Sequence, residues 1–267
     1  MKLQRLLAMA LAALIVGTGA YLRWHGRSEA YDAQFFAGMD RAARQSAETV
    51  VPELVRLIQP RSVVDVGSGD GYWSKAFLDN GVSDVIAVDG PWVRKEDLKV
   101  PADLFVVRDL EQPFHMDRPF DMVLCLETAE HLHPARAGGF IHDLTQLAPV
   151  VVFSAAIPGQ GGTFHYNEEW PEYWADLFAK DSYEAIDVFR PFFWTNEKVA
   201  PMYRQNMILY VRKDYLEKSA SLQQATAGAP RVVRALVHPE VYHNAVGNAA
   251  YAARWQTKVK RFLHLER

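Results

Sequence analysis

The chain has 267 residues, 49% of them hydrophobic, which is enough to bury a full core in one α/β domain with extensions. The formal net charge of −3 provides no polycationic surface, so nucleic acid is not an expected partner. Cys125 is the single cysteine, which excludes a disulfide framework, and its apolar surroundings are typical of a small core residue.

The N-terminal segment is apolar or small from Leu6 to Leu22 and has basic residues on both sides. Its length is at the short end of the ~17–25 residues that span a bilayer, and Thr18-Gly19-Ala20 loosely fits a signal cleavage site. A retained inner-membrane anchor, a cleaved signal, and a mis-assigned start or buried helix therefore all stay open. Residues 1–30 are assigned to a separate segment, predicted to be an apolar helix.

Short apolar runs alternate with helical patterns after this segment. Val50 to Ile58 has helical spacing closed by Pro60, and helices are predicted at Tyr72–Leu78 and, after the segment Glu127–His133, through to about Leu147. The predicted strands are Ser62–Val66, Asp84–Val88, Leu104–Val107, Phe120–Leu126 and Val150–Ser154, with further β-rich runs at Ala185–Phe189 and Met207–Val211. This alternation predicts an α/β fold with a Rossmann-like, doubly wound, mostly parallel seven-stranded sheet.

Residues 214–267 are predicted to be a linker and a C-terminal helical extension. Leu216 to Pro230 is rich in Ser, Ala, Gln and Gly, which is typical of a linker. Val232 to Arg267 is then a partly helical tail, whose basic residues form a solvated face or contact an anionic membrane surface.

A glycine-rich loop follows the first predicted strand, with Gly67, Gly69 and Gly71 at every second position. Glycine lets a backbone approach a ligand closely because no Cβ intervenes. The dinucleotide fingerprint G-x-G-x-x-G requires a third glycine where this chain has Tyr72, which favours S-adenosylmethionine over NAD. A nucleotide-dependent oxidoreductase is the competing interpretation.

Acidic residues follow the predicted strands, at the sheet edge where an open α/β fold binds its ligand. Asp89 ends the second strand about 20 residues beyond the loop, where a carboxylate can accept both ribose hydroxyls. Asp109 ends the third strand, where it can meet an adenine amino group. Acids at strand ends are also common turn residues, so the order and spacing support the prediction more than any single residue does.

Several segments together resemble known methyltransferases. Val63–Gly71, Val88-Asp89, Arg108-Asp109-Leu110 and Phe120–Leu132 look like the sequential motifs of class I S-adenosylmethionine-dependent methyltransferases. The resemblance covers residues 31–213, which are therefore assigned to a methyltransferase domain. A narrower likeness, to a bacterial group often associated with glycan or polysaccharide modification, is carried by Phe153–Thr163, the residues from His165 to Trp174, Tyr203–Asn206 and Leu236–Glu240.

The resemblance implies S-adenosylmethionine as the cofactor and a set of residues that hold it. The methionine end would lie at Asp65, Gly67, Ser68, Gly69 and Gly71, the ribose at Asp89, the adenine at Asp109 and Leu110, and the sulfonium above Leu126 and Glu127. Because this cofactor is made in the cytosol, the domain is expected to face the cytosol whether or not residues 6–22 anchor it to the inner membrane.

Four residues are candidates for catalysis: Glu130, His131, His165 and Glu168. Methyl transfer to a hydroxyl gains from a general base, usually histidine, and these residues follow the fourth and fifth strands. Three of them have structural alternatives: His131 can be a helix-start residue that holds backbone or cofactor, His165 can order its loop by a hydrogen bond, and Glu168 can cap the helix predicted near Pro171. His131 with His133 matches no strong metal signature, so no metal is expected.

The predicted function is transfer of a methyl group to a hydroxyl of a small-molecule or glycan acceptor, such as a sugar or lipid-linked glycan. Clustered aromatics from Trp170 to Trp194 fit either a sugar-stacking platform or a packed lid. A catalytically weak, membrane-anchored scaffold of the same fold is a further alternative. The intact glycine loop, Asp89 and Glu130-His131 argue against it.

Overall fold

The computed structural model describes residues 33–247, and the apolar segment at residues 6–22 lies outside this range. In the described part of the chain, seven strands form one sheet in the order β3-β2-β1-β4-β5-β7-β6. The strands are β1 Ser62–Val66, β2 Asp84–Asp89, β3 Phe105–Val107, β4 Met122–Leu126, β5 Val150–Ser154, β6 Tyr183–Ile186 and β7 Ile208–Arg212. Neighbouring strands are parallel except where β7 pairs with β5 and β6, which confirms the predicted mostly parallel, doubly wound sheet.

The sheet has its topological switch point between β1 and β4. From β1 the chain first builds outward through β2 and β3, and then returns to β4 on the other side of β1. Ligands of open α/β sheets bind beyond the carboxyl ends of the strands at such a point. The glycine loop after β1 and the segment after β4 are therefore neighbours at the binding edge.

Helices cover both faces of the sheet, and the side chains on both faces of the central strands are therefore buried. The helices are α1 Ala33–Ile58, α2 Tyr72–Asp79, α3 Ala137–Leu147, α4 Pro171–Lys180, α5 Phe189–Phe193, α6 Pro201–Asn206, α7 Lys213–Lys218 and α8 Ala220–Ala225. One core cluster contains Val63 with Phe77, and the other contains the next strand residue, Val64, with Phe140. Since successive strand residues point to opposite faces, these are the two sides of the sheet.

Several predicted boundaries differ from the structure. The helix predicted from Val50 begins at Ala33, and the sixth strand ends at Ile186, so that Phe189 starts a helix instead of ending a strand. The helix predicted to follow His133 and run to about Leu147 begins at Ala137, after the 3₁₀ turn Pro134–Arg136. Proline lacks the N–H that a continuous helix needs at that point.

The prediction of a linker at residues 216–230 was wrong. This stretch contains α8 and the end of α7, and it buries Leu216 and Leu222 in the core. The linker prediction was based on the high content of Ser, Ala, Gln and Gly. However, Ala, Gln and Leu in this stretch are good helix formers. The segment that follows buries Val233 and His238, and a helix begins at Pro239.

By its internal contacts the chain divides into two units, Met1–Arg41 and Ala42–Arg267, and the sheet belongs to the second. Within residues 33–247, no helix has the length and apolar character needed to cross a membrane. The predicted anchor at residues 6–22 is outside that range and stays a prediction.

Candidate active site

The glycine loop is folded back against β2. The amides of Gly67 and Ser68 donate to the Val88 carbonyl oxygen at 2.8 and 3.2 Å. The φ angles of Gly67, Gly69 and Gly71 are 80°, 56° and 95°, in the left-handed region that favours glycine. A Cβ on Gly67 would also collide with the Thr128 side chain, so this glycine lets the loop after β4 approach closely.

Asp89 supports this loop directly. Its Oδ2 accepts a hydrogen bond from the Gly69 amide at 2.7 Å, and its Oδ1 accepts one from the Gly90 amide at 2.5 Å. The residue is only 7% exposed. Each carboxylate oxygen has a second lone pair, so the chemistry still permits the predicted ribose contact.

Asp65 lies beneath the loop. Its Oδ2 accepts a hydrogen bond from Ser74 Oγ of α2 at 2.7 Å. Burial raises the pKa of this carboxyl to about 7, the Ser74 bond lowers it in part, and the negative charge of Asp89 adds to the rise. The contact predicted between Asp65 and the methionine end of the cofactor stays a prediction.

The residues predicted around the adenine and the sulfonium differ in exposure. Asp109 is exposed, and its Oδ1 accepts from the Glu111 amide at 3.1 Å. Leu110 and Leu126 are both buried, in the clusters on opposite faces of the sheet. Their roles toward the cofactor stay predictions.

Glu127 is the strained residue of the site. It follows β4 with a φ of 49°, which residues other than glycine seldom adopt. Its carboxylate accepts from Gln160 Nε2 at 2.8 Å and from Asn206 Nδ2 at 3.1 Å. Burial raises the pKa of this carboxyl, and these two amide bonds act in the opposite direction. Backbone strain held by side-chain bonds is typical of functional sites.

A buried amide network extends from Glu127 and was not predicted. Asn206 Nδ2 also donates to Gln160 Oε1 at 2.9 Å, and Gln205 Nε2 donates to Asn206 Oδ1 at 2.8 Å. The His238 amide donates to Gln205 Oε1 at 2.7 Å, which connects the network to the C-terminal segment. The only available signal was the presence of these amides in segments that carried the narrower resemblance.

The predicted catalytic residues meet at the ends of β4 and β5. One ligand atom each from Glu130, His131 and His165 lies within 4.8 Å of the other two. The rings of the two histidines contact edge to face, with 4.7 Å between centroids. The structure therefore places His131 against His165, 34 residues away, whereas only the pair of His131 and His133 was considered as a metal site from the sequence.

Glu130 is fully buried within this cluster. Among the described residues, neither carboxylate oxygen has a partner in hydrogen-bond geometry, although the backbone amides of Glu130 itself and Ala156 lie close enough to lower its pKa in part. Burial raises the pKa of Glu130 well above its ordinary value, and the charge of Glu127 raises it further. Buried, unpartnered carboxylates are costly and mark functional candidates.

Glu168 organises the loop after β5. Its Oε2 accepts from the Gly159 amide at 2.8 Å, and its Oε1 accepts from the Gly161 amide at 2.7 Å. Oε1 also lies 2.9 Å from His165 Nδ1. The alternative that Glu168 caps the following helix was wrong, because no side-chain cap bond is formed at the start of α4.

The clustered aromatics divide into two groups. Trp174 and Phe193 are 1% exposed and belong to the core, whereas Trp170 and Phe192 are 38% and 57% exposed. Tyr173 and Trp194 are partly buried, so the most exposed ring surface of the cluster belongs to Trp170 and Phe192.

Comparisons with known proteins agree with the fold. Residues 39–196 match a family model described as a methyltransferase domain. A comparison with curated proteins gave no match.

Among solved structures, a candidate O-methyltransferase from Nostoc punctiforme PCC 73102 is 16% identical, with 67% of this chain and 59% of that chain covered and a TM-score of 0.50. Magnesium protoporphyrin IX methyltransferase from Synechocystis PCC 6803, with bound S-adenosylhomocysteine, is 17% identical, with 77% and 100% covered and a TM-score of 0.47. The methyltransferase domain of bacterial CtHen1-C is 18% identical, with 63% and 98% covered and a TM-score of 0.48. At such identities a structural likeness concerns the fold.

Proposed function

The chain belongs to the methyltransferase-domain family and is an S-adenosylmethionine-dependent methyltransferase, and from this premise we propose that it methylates a hydroxyl oxygen. The observation that carries the proposal is the polar cluster of Glu130, His131 and His165, with Glu168 behind it. The cluster begins two residues after Thr128, whose side chain touches the glycine loop. Acceptor-side polar groups would therefore lie beside the glycine loop, which is predicted to hold the donor.

The reaction needs alignment and a destination for one proton. The acceptor oxygen attacks the methyl carbon in line, the C–S bond of the sulfonium breaks, and the O–C bond forms. The acceptor hydroxyl must also lose its proton. Either a basic side chain takes the proton, or a neighbouring group lowers the pKa of the hydroxyl so that the proton can leave. Glu168 fixes the His165 ring from behind, which supports a role for this histidine in placing the hydroxyl.

Alanine substitution of His131 or His165 tests the acceptor-side assignment. Turnover should fall by about 10²–10⁴ while the affinity for S-adenosylhomocysteine stays nearly unchanged, because the glycine loop is intact. His142→Ala, an exposed histidine on α3 that pairs with Asp181, is the matched control. Equal loss of cofactor affinity in the two site variants would assign the histidines to structure instead.

For the acceptor itself we propose a sugar or lipid-linked glycan. Exposed aromatic rings support this proposal. Trp170 lies at the start of α4 and is 38% exposed, and Tyr166, which stacks on Phe164, is 52% exposed. Flat C–H faces of sugars stack on such rings. Mass spectrometry of cell-envelope glycans and lipids, with and without the gene, should reveal one methyl group that is lost on deletion. If methylation of the envelope glycans and lipids is unchanged and another small molecule loses a methyl group, the proposal of a glycan acceptor is contradicted.

We also propose that residues 6–22 hold the enzyme at the inner membrane, with the domain in the cytosol. The apolar length and flanking basic residues support this. Deleting residues 1–27 should move the protein from the membrane fraction to the supernatant and leave cofactor binding unchanged. Full-length protein found entirely in the supernatant would contradict the anchor.

A further inference from the structure

We propose that Glu130, His131 and His165 form a binding site for one divalent first-row transition-metal cation. Two imidazoles and one carboxylate provide a common set of protein ligands, and three protein ligands leave coordination positions open for water or substrate. The site itself stands on the geometry of these three residues. Its role toward the acceptor rests on the proposed function.

The burial of Glu130 is the first argument. Its side chain is fully buried, and both carboxylate oxygens lack a hydrogen-bond partner within residues 41–247. An ionised carboxylate in this position is stabilised only by a cation or by several hydrogen bonds. A metal ion bound by the adjacent imidazoles would provide that compensation.

The spacing of the donor atoms is the second argument. The ligand atoms of the three residues lie within 4.8 Å of one another. Three donors bound to the same ion at ~2.1 Å lie about 3–3.6 Å apart. Binding therefore requires the three donor atoms to move closer together by about 1 Å, which side-chain rotations would have to supply.

The hydrogen bond behind His165 is the third argument. Glu168 Oε1 lies 2.9 Å from Nδ1 of the ring, so Nδ1 donates to it and Nε2 keeps its lone pair for a ligand. Metal-binding histidines commonly donate their other nitrogen to a carboxylate, which fixes the ring and raises its basicity. The two loop amides bound by Glu168 fix this carboxylate in turn.

Local charge favours a cation. Glu127 lies three residues before Glu130, and Glu168 bonds to His165, so two further carboxylates flank the three proposed ligands. Among the described residues, none of the ion pairs joins a lysine or arginine to Glu127, Glu130 or Glu168, and Glu168 pairs with His165. A divalent ion would therefore meet no competing ion pair from a lysine or arginine in the described part of the chain.

The donor chemistry narrows the metal class. Imidazole nitrogens suit first-row transition metals, whereas Mg²⁺ and Ca²⁺ prefer sites made of oxygen ligands. An acceptor hydroxyl bound at an open position would have a lowered pKa and would release its proton to water as the methyl group arrives. The cation would then replace a histidine base as the activating group.

Metal binding to the full-length protein tests the proposal without any acceptor. After chelator treatment and dialysis, Mn²⁺ or Co²⁺ alone is titrated and followed by calorimetry, with Mn²⁺ paramagnetic resonance and Co²⁺ visible absorption as spectroscopic readouts. One ion per chain should bind, and Glu130→Gln or His165→Ala should weaken binding by at least about 10-fold. His133→Ala, an exposed histidine outside the cluster, should leave the affinity within about 2-fold of wild type.

Each outcome decides the proposal. Absence of binding at ~1 mM of either ion, or equal affinities in Glu130→Gln and His133→Ala, would overturn it. A higher affinity for Mg²⁺ than for Mn²⁺ and Co²⁺ would contradict the assignment of the two histidines as ligands. S-adenosylhomocysteine should still bind the metal-stripped protein, because the glycine loop supplies none of the three ligands. If the wild-type protein binds S-adenosylhomocysteine but no metal ion, the metal inference is refuted and the proposed function still stands.

Discussion

Asp65 has a pKa far above that of a free aspartate. Burial raises its pKa from 3.8 to about 7, so the folded chain holds a proton that the unfolded chain has released. The stabilising effect of this proton is complete below pH 3.8 and is lost as the pH rises through about 7. Without cofactor, this group should lower the free energy of unfolding by about 1.4 kcal/mol per pH unit across that window.

Asp65→Asn should remove this contribution, since an amide cannot ionise. Urea denaturation at pH 5, 6 and 7 measures it: the variant should show a shallower decline with pH than wild type. Asp103→Asn, at an exposed position, serves as the control and should keep the wild-type decline. Parallel pH profiles for wild type and Asp65→Asn would show that Asp65 ionises normally.

Gly67 is the residue at which backbone approach matters most. Gly67→Ala places a methyl group against Thr128 and also forces alanine to a φ of 80°. Gly81→Ala imposes similar strain at a φ of 87° but has open space around the new Cβ, which makes it a matched control. Each variant pays roughly 1–2 kcal/mol for the backbone, and only Gly67→Ala should also weaken S-adenosylhomocysteine binding by more than about 10-fold. Equal affinities of the two variants in calorimetry would show that the contact with Thr128 is irrelevant to binding.

At the scale of elements, the loop after β5 depends on one carboxylate. Glu168→Ala removes the acceptor for two loop amides and for His165, and should increase protease cleavage within residues 158–169. The free energy of unfolding should fall by about 1 kcal/mol, because the partly buried His165 ring loses its partner while the two loop amides are exposed and can bond to water. Glu169→Ala, at a neighbouring residue that makes none of these three bonds, should behave like wild type. Similar cleavage of both variants would contradict this organisation.

The sequence was informative wherever a local rule applied. Alternating apolar runs and the glycines after β1 predicted the sheet and its binding edge, because strand burial and loop conformation depend on nearby residues. The pairing of His131 with His165 and the bonds from Gln160 and Asn206 to Glu127 depend on the crossovers between strands. Such long-range contacts leave no spacing signal in a single sequence.

At the scale of the whole molecule, the C-terminal segment is part of the domain. His238 bonds to Gln205, and Arg204, which is 3% exposed, pairs with Glu240 at 2.8 Å. Deleting residues 231–267 should therefore lower the free energy of unfolding by about 1–3 kcal/mol, since it removes the bond to Gln205, the ion pair of Arg204 and the buried Val233. Deleting only residues 248–267 retains these contacts and is the control. Equal urea midpoints for the two truncations would contradict this account.

The decisive measurement of S-adenosylmethionine dependence is calorimetry of the wild-type protein with S-adenosylhomocysteine, with NAD as the comparison ligand. S-adenosylhomocysteine should bind one-to-one and NAD should not bind, because Tyr72 follows the loop of Gly67, Gly69 and Gly71 where the dinucleotide fingerprint requires glycine. Absence of S-adenosylhomocysteine binding at millimolar concentration, or preferential binding of NAD, would contradict S-adenosylmethionine dependence.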